Sequence, residues 1–344
     1  MKDNNKFHSI MMEITQGLSG DATADREYLK EQLEKYKSHP LSTEIIRAIS
    51  RLLVDTIPED NKEKISKLIS NYETGINQTL EEARFLIYKK DYDKALRIME
   101  ALVDDVEELD WFHDDSVSEY HIFREFFEEA LYINIANPQK EIRYATIPYP
   151  DIYSLYGGLL FEVKRYTDAQ EALMKGLRWN PVHFEIYGEY IETFKALEDH
   201  EKFFQLSKDA FKIAFRPSHL ARCYRNLGYY FIEMKMWDVA SACYLLSMQH
   251  EQSKQAQSEL YYIQSITNTT IPQFTEEQME EYGDRFGFPI GPDNTLLELA
   301  VGYGVHCVER GEREGARYCL QIAYDLTKSE YIKQYLDELA KPQA

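Results

Sequence analysis

Residues 149–181 read YPDIYSLYGGLLFEVKRYTDAQEALMKGLRWNP. Tyr153, Tyr156, Gly157 and Leu160 fall at helical spacing, and the polar pair Lys164-Arg165 interrupts them. Tyr166, Ala169, Leu173 and Gly176 then fall at helical spacing again, until Asn180-Pro181 closes the stretch. The pattern predicts two antiparallel helices joined by a tight turn, with small residues at their crossing. Large side chains there would keep the helix axes from closing to about 8–10 Å. A proline after the second helix ends it without removing a needed hydrogen bond.

Working outward, the same layout recurs. Tyr92, His200, Trp237 and Arg313 take the position of Tyr166, directly after each turn. Tyr166 and His200 are 34 residues apart, His200 and Trp237 are 37 apart, and Tyr92 and Tyr166 are 74 apart, or two units of 37. The small residue of the first helix is Ala83, Gly157, Gly228 and Gly304 in turn, and that of the second is Ala95, Ala169, Ala240 and Ala316. In the unit 183–217 both are lost, to Ile191 and Phe203, which predicts a wider or differently angled pair.

In this register the units resemble the tetratricopeptide repeat (TPR), whose period is about 34 residues. The resemblance implies an all-α fold: a right-handed α-α superhelix, or TPR-like solenoid, of antiparallel helix pairs. It also implies that the first helix of each unit lines a concave groove that binds peptide or protein segments. Carried over by register, the groove candidates include Glu185, Glu189, Glu192 and Lys195, then Arg222, Arg225, Asn226 and Tyr229. Glu185, Glu189 and Glu192 read as an acidic stripe, and Arg222, Arg225 and Asn226 as a basic-polar patch one unit later. Co-chaperones of this family hold a C-terminal carboxylate with a Lys–Asn, Asn and Lys–Arg set from three units. Arg222 and Asn226 match one such pair, whereas Asp151, Leu155, Glu185 and Glu189 depart from the set, so the full clamp is absent.

The flanks complete the layout. Residues 1–20 carry little periodicity and are expected to be loosely held. Asp25–Tyr36 reads as a charged helix, and Ile45, Ile46, Ile49, Leu52 and Leu53 form an apolar stripe after Pro40-Leu41-Ser42. Pro58 opens a further helix with Ile65, Leu68, Ile69 and Tyr72 on one face. Residues 1–75 are thus expected to form an N-terminal helical cap or degenerate repeat, and residues 76–270 the repeat array. Inside the array an apolar-rich helix is expected over 117–136, stopped by Asn137-Pro138, and an extra helix over 254–266. Residues 271–294, IPQFTEEQMEEYGDRFGFPIGPDN, break the array as a loop-rich insertion with a short acidic helix at 275–284. Residues 295–344 carry a final repeat and a capping helix from Ser329 to Leu339, expected to cover the last apolar face with Tyr331, Ile332, Tyr335 and Leu336.

Composition narrows the function. The 344 residues are 44% hydrophobic and 28% charged, with 26 tyrosines and few glycines or prolines, which suits long helices with half-wet cores. The formal charge of −20 repels phosphate backbones and anionic lipid, so neither nucleic acid nor a membrane is expected as a partner. A basic or amphipathic protein partner fits better. The start lacks a secretory signal, no apolar run is long enough to span a membrane, and the four cysteines form no CxxC pair. A reducing, cytoplasmic setting is the expectation.

No catalytic constellation stands out. His250-Glu251 lacks the second histidine of a zinc helix, His113-Asp114-Asp115 reads as a solvated linker, and Gly302-Tyr303-Gly304 has neither the third glycine nor a preceding strand of a nucleotide loop. No metal, cofactor or enzymatic activity is expected. The sequence points to a protein–protein interaction scaffold binding a peptide or protein segment in its groove. The alternative is a peptide-sensing regulator lacking its DNA-binding domain.

Overall fold

Five turns set the architecture. Lys90, Lys164, Glu198, Lys235 and Gly311 all adopt the left-handed region, with φ between 58° and 75°. Each lies two residues before the first residue of a helix: Tyr92, Tyr166, His200, Trp237 and Arg313. Next to each, an amide N–H closes a bond to the carbonyl five residues back: Asp91 to Leu86, Arg165 to Leu160, Asp199 to Phe194, Met236 to Phe231 and Glu312 to Cys307, at 2.8–2.9 Å. This is the Schellman closure of a helix C-terminus, which satisfies carbonyls the helix leaves without partners. The register read from the sequence is therefore one backbone geometry repeated.

The computed structural model describes residues 2–109 and 112–341, side chains 2–5, 59 and 60 excepted. Its helices in chain order are α1 Lys2–Gln16, α2 Ala22–Tyr36, α3 Ser42–Asp55, α4 Glu59–Tyr88, α5 Tyr92–Leu109, α6 Phe126–Ala136, α7 Tyr149–Glu162 and α8 Tyr166–Trp179. They continue as α9 Phe184–Ala196, α10 His200–Asp209, α11 Pro217–Glu233, α12 Trp237–His250, α13 Lys254–Thr267, α14 Glu276–Phe286, α15 Asn294–Glu309, α16 Arg313–Thr327 and α17 Glu330–Ala340. Two short strands, β1 Ser118–His121 and β2 Glu141–Tyr144, pair in parallel. The chain divides into two compact units, Met1–Ile122 with Asn137–Leu159 and Phe123–Ala136 with Leu160–Ala344.

In the first unit, α1 departs from the expected loose start. Phe7, Ile10, Met11 and Ile14 make a helical stripe, and Phe7 and Ile14 bury against Leu29, Ile45 and Ile49. The helices expected on either side of residue 75 are one, α4, because only Gly75 interrupts the helix formers there and one glycine costs about 1 kcal/mol. The expected apolar face of its N-terminal half is not covered: Ile65, Leu68 and Ile69 are 43, 68 and 37% exposed. The helix expected over 117–136 begins only at Phe126. Upstream, one Asp115 carboxylate oxygen accepts the amides of Val117 and Ser118 and the Ser118 hydroxyl at 2.8–3.0 Å, while Asp114 accepts the Tyr120 amide at 2.9 Å. Short acids that capture backbone N–H groups compete with helix, and β1 forms instead.

In the second unit the small residues do as expected. A Cβ on Gly228 would lie 2.7 Å from the Tyr244 ring of the paired helix, and one on Gly304 would lie 2.7 Å from Leu320. Where both small positions are lost, Ile191 and Phe203 are fully buried and fill the crossing themselves. The segment 271–294 contains α14, with a Thr275–Gln278 capping box at its start and left-handed Gly287 at its end. Tyr224 fastens the following loop, accepting from the Gly291 amide at 2.6 Å and donating to the Pro289 carbonyl at 3.1 Å. The terminal helix α17 buries less than expected: Tyr331 and Tyr335 stay exposed and meet edge to face with ring centroids 5.1 Å apart. Arg313 ties it down by donating to the carbonyls of Leu339 and Lys341.

Candidate functional site

The first helix of a pair presents its groove face at spacings of three and four, so Arg222, Arg225, Asn226 and Tyr229 share one side of α11. On α9, Glu192 and Lys195 face the same space. These six border a single cavity of about 260 Å³, completed by Tyr244 of α12 and Gln255 and Glu259 of α13. Gly188 makes this approach possible: a Cβ there would sit 2.6 Å from the Arg222 guanidinium, so Arg222 lies across α9 only because the position is bare.

Acidic and basic zones are not separate, as the stripe and patch of the sequence suggested. Arg222 donates to Glu189 at 3.0 Å, Arg225 donates to Glu251 at 3.2 Å, and Lys195 lies 3.7 Å from Glu192. The Lys195 ammonium also sits 4.0 Å above the Tyr229 ring. Each cation of the cavity thus has its own carboxylate. Glu189 acts through Arg222 and is not among the residues lining the cavity.

Glu185 belongs elsewhere. Its carboxylate accepts from Arg124 at 2.8 Å and lies 3.4 Å from His219. The His219 bond, helped by Arg124, holds its pKa far below the carboxylate range. Arg124 also donates to Glu128, a fully buried carboxylate that accepts from Asn180 at 2.8 Å. His183 caps α9 by accepting the Ile186 amide at 3.3 Å, and burial pushes its pKa down to about 4. His219 stacks on Phe184 at 4.0 Å and is lowered by burial too. This network fastens α6, α9 and α11 together, which is why Glu185 does not reach the cavity.

Two residues lining the cavity have little exposed surface overall but keep their polar atoms open to it. Asn226 is 6% exposed and Tyr244 is 2% exposed, and neither side chain makes a hydrogen bond among the described residues. Their polar atoms open onto the cavity, so water or a ligand there can pair with them. Burial, with the nearby Glu259 carboxylate, raises the Tyr244 pKa and keeps the hydroxyl protonated. Tyr244 was not legible as a groove residue because it sits on the second helix of its pair. It reaches the cavity over the bare backbone of Gly228. Glu259 and Gln255 come from the extra helix α13, for which the repeat register assigns no groove positions.

A larger cleft of about 760 Å³ lies between the start of α11 and α16, beside Arg216, His250, Arg317 and Tyr318. Glu125 reaches into it, paired with Arg216 and accepting from Tyr318, both at 2.5 Å. Among the described residues, no group of three His, Cys, Asp or Glu side chains is placed to hold a metal ion, and no helix is long and apolar enough to cross a membrane.

No protein-family model matches the chain, and no curated protein matches it either. Solved structures similar to it include Pseudomonas aeruginosa pilF, with 12% identity over 76% of this chain and 96% of that chain at a TM-score of 0.38. YrrB, a TPR protein with an unusual peptide-binding site, has 13% identity over 62% and 98% at a TM-score of 0.28. The APC/C hetero-tetramer Cut9–Hcn1 has 11% identity over 91% and 67% at a TM-score of 0.29. By its own five turns and small-residue crossings, the chain is an all-α, TPR-like protein of antiparallel helix pairs.

Proposed function

We propose that this chain is a non-catalytic interaction scaffold that binds a peptide or protein segment between α9, α11, α12 and α13. The observation that carries the reading is the cavity itself. Six of the eight candidate groove residues line it, and the polar atoms of Asn226 and Tyr244 open onto it without hydrogen bonds. In this reading residues 76–270 provide the working surface, residues 271–294 an insertion beside it, and residues 295–344 a final pair and terminal helix. Residues 1–75 form a cap that shares α4 with the array.

Chemistry elsewhere gives an enzyme little to work with. Burial drives the thiols of Cys223 and Cys243 far above their ordinary pKa, which makes them inert as nucleophiles. His183 is committed to capping a helix and His219 to Glu185. Four free cysteines fit a reducing cytoplasm as the working compartment.

The test is affinity capture from the native extract with the wild-type chain and with Asn226→Ala, which removes a cavity carboxamide that holds nothing else in place. The partner recovered by the wild type should fall at least about tenfold with the variant, while both melt at the same temperature. Equal recovery by both would refute the groove as the binding surface.

A further inference from the structure

We propose that the α9–α13 cavity takes the side chain of a lysine on the bound segment, held by Glu259, Asn226 and Tyr244. This rests on the groove reading above and specifies what the groove selects. The cations of the cavity are already compensated: Arg222 by Glu189 at 3.0 Å, Arg225 by Glu251 at 3.2 Å, and Lys195 by Glu192 at 3.7 Å. A carboxylate ligand would have to compete with those carboxylates.

Four lining residues are left over, Gln255 at the exposed rim and three others. Glu259 has no ion pair among the described residues, and Asn226 and Tyr244 have no hydrogen bonds there. All three offer acceptor oxygens: a carboxylate, a carboxamide carbonyl and a hydroxyl. An ammonium offers three donors and no acceptor, which matches three acceptor oxygens lining one cavity. The cavity, about 260 Å³, has room for one long side chain and little else. At long range the net charge of −20 draws a basic segment toward the chain and repels an acidic one. The site therefore differs in sign from a carboxylate clamp, although it contains two arginines and an asparagine.

The experiment uses the full chain and three fluorescent pools of ten-residue peptides, identical in composition except for a central lysine, glutamine or glutamate. Polarisation titrations are run on the wild type, Glu259→Gln and Tyr244→Phe. The lysine pool should bind about tenfold tighter than the glutamine pool, and Glu259→Gln should erase most of that margin. Tyr244→Phe, which keeps the buried ring, should erase part of it. If the pools bind equally, or the glutamate pool binds tightest, the lysine assignment is overturned and the groove reading stands. If no pool binds the wild type, both fall.

Discussion

At the scale of single residues, the bare positions and the buried polar groups were unequally legible. Gly228 and Gly304 announce themselves by repeat position, and the Cβ contacts of 2.7 Å explain why they stay bare. His183 carried no such signal, yet it caps α9 with a neutral ring nitrogen. Its pKa is lowered by burial to about 4 from 6.5, so between those values the unfolded chain binds a proton that the folded chain refuses. Stability from this group is full above pH 6.5 and is lost as pH falls toward 4. The depressed pKa values of Glu185 and His219 act in the same direction. The His183 contribution is of order 3 kcal/mol. His183→Asn keeps a capping oxygen but cannot titrate, so its loss of stability between pH 7 and pH 4.5, followed by urea unfolding, should be clearly smaller than in the wild type. Parallel losses in the two proteins would show that the ring is not the acid-sensitive group.

Among elements, the turn was the most legible feature and the exceptions have physical causes. Three lysines, a glutamate and a glycine adopt the same left-handed turn, since tertiary pairing overrides the local cost of about 1 kcal/mol at the four that are not glycine. Two glycines in the last pair test this reading against each other. Gly311 sits in such a turn at φ 75°, whereas Gly302 lies mid-helix in α15 with open space where a Cβ would be. Gly311→Ala should destabilise by about 1 kcal/mol, and Gly302→Ala should stabilise by a similar amount, both measured by chemical denaturation. A gain in stability for Gly311→Ala would contradict the turn geometry. The elements that the sequence did not disclose depend on contacts outside the helical period. β1 exists because Asp114 and Asp115 seize its amides, and α1 because its stripe meets the α2–α3 core. The exposed stripe of α4 is the converse case, an amphipathic pattern without a buried face.

For the whole molecule, six of the residues that the repeat register placed on the groove face border one cavity, because register is a backbone property and fixes which side chains share a face. What it did not fix is the pairing of charges. Reading one helix at a time gave an acidic stripe and a basic patch, whereas packing α9 against α11 neutralises Arg222 with Glu189. The third dimension also supplied Tyr244 and Glu259, from helices outside the groove register. The central claim is that this assembled surface receives a protein segment. Site-specific photocrosslinking tests it most directly, with a benzoylphenylalanine placed at position 229 in the cavity and, in a separate protein, at exposed position 331 on α17. In native extract the probe at 229 should capture a discrete protein partner that the probe at 331 does not, and Glu259→Gln should weaken that capture. Identical capture from the two positions, or none from 229, would contradict the account.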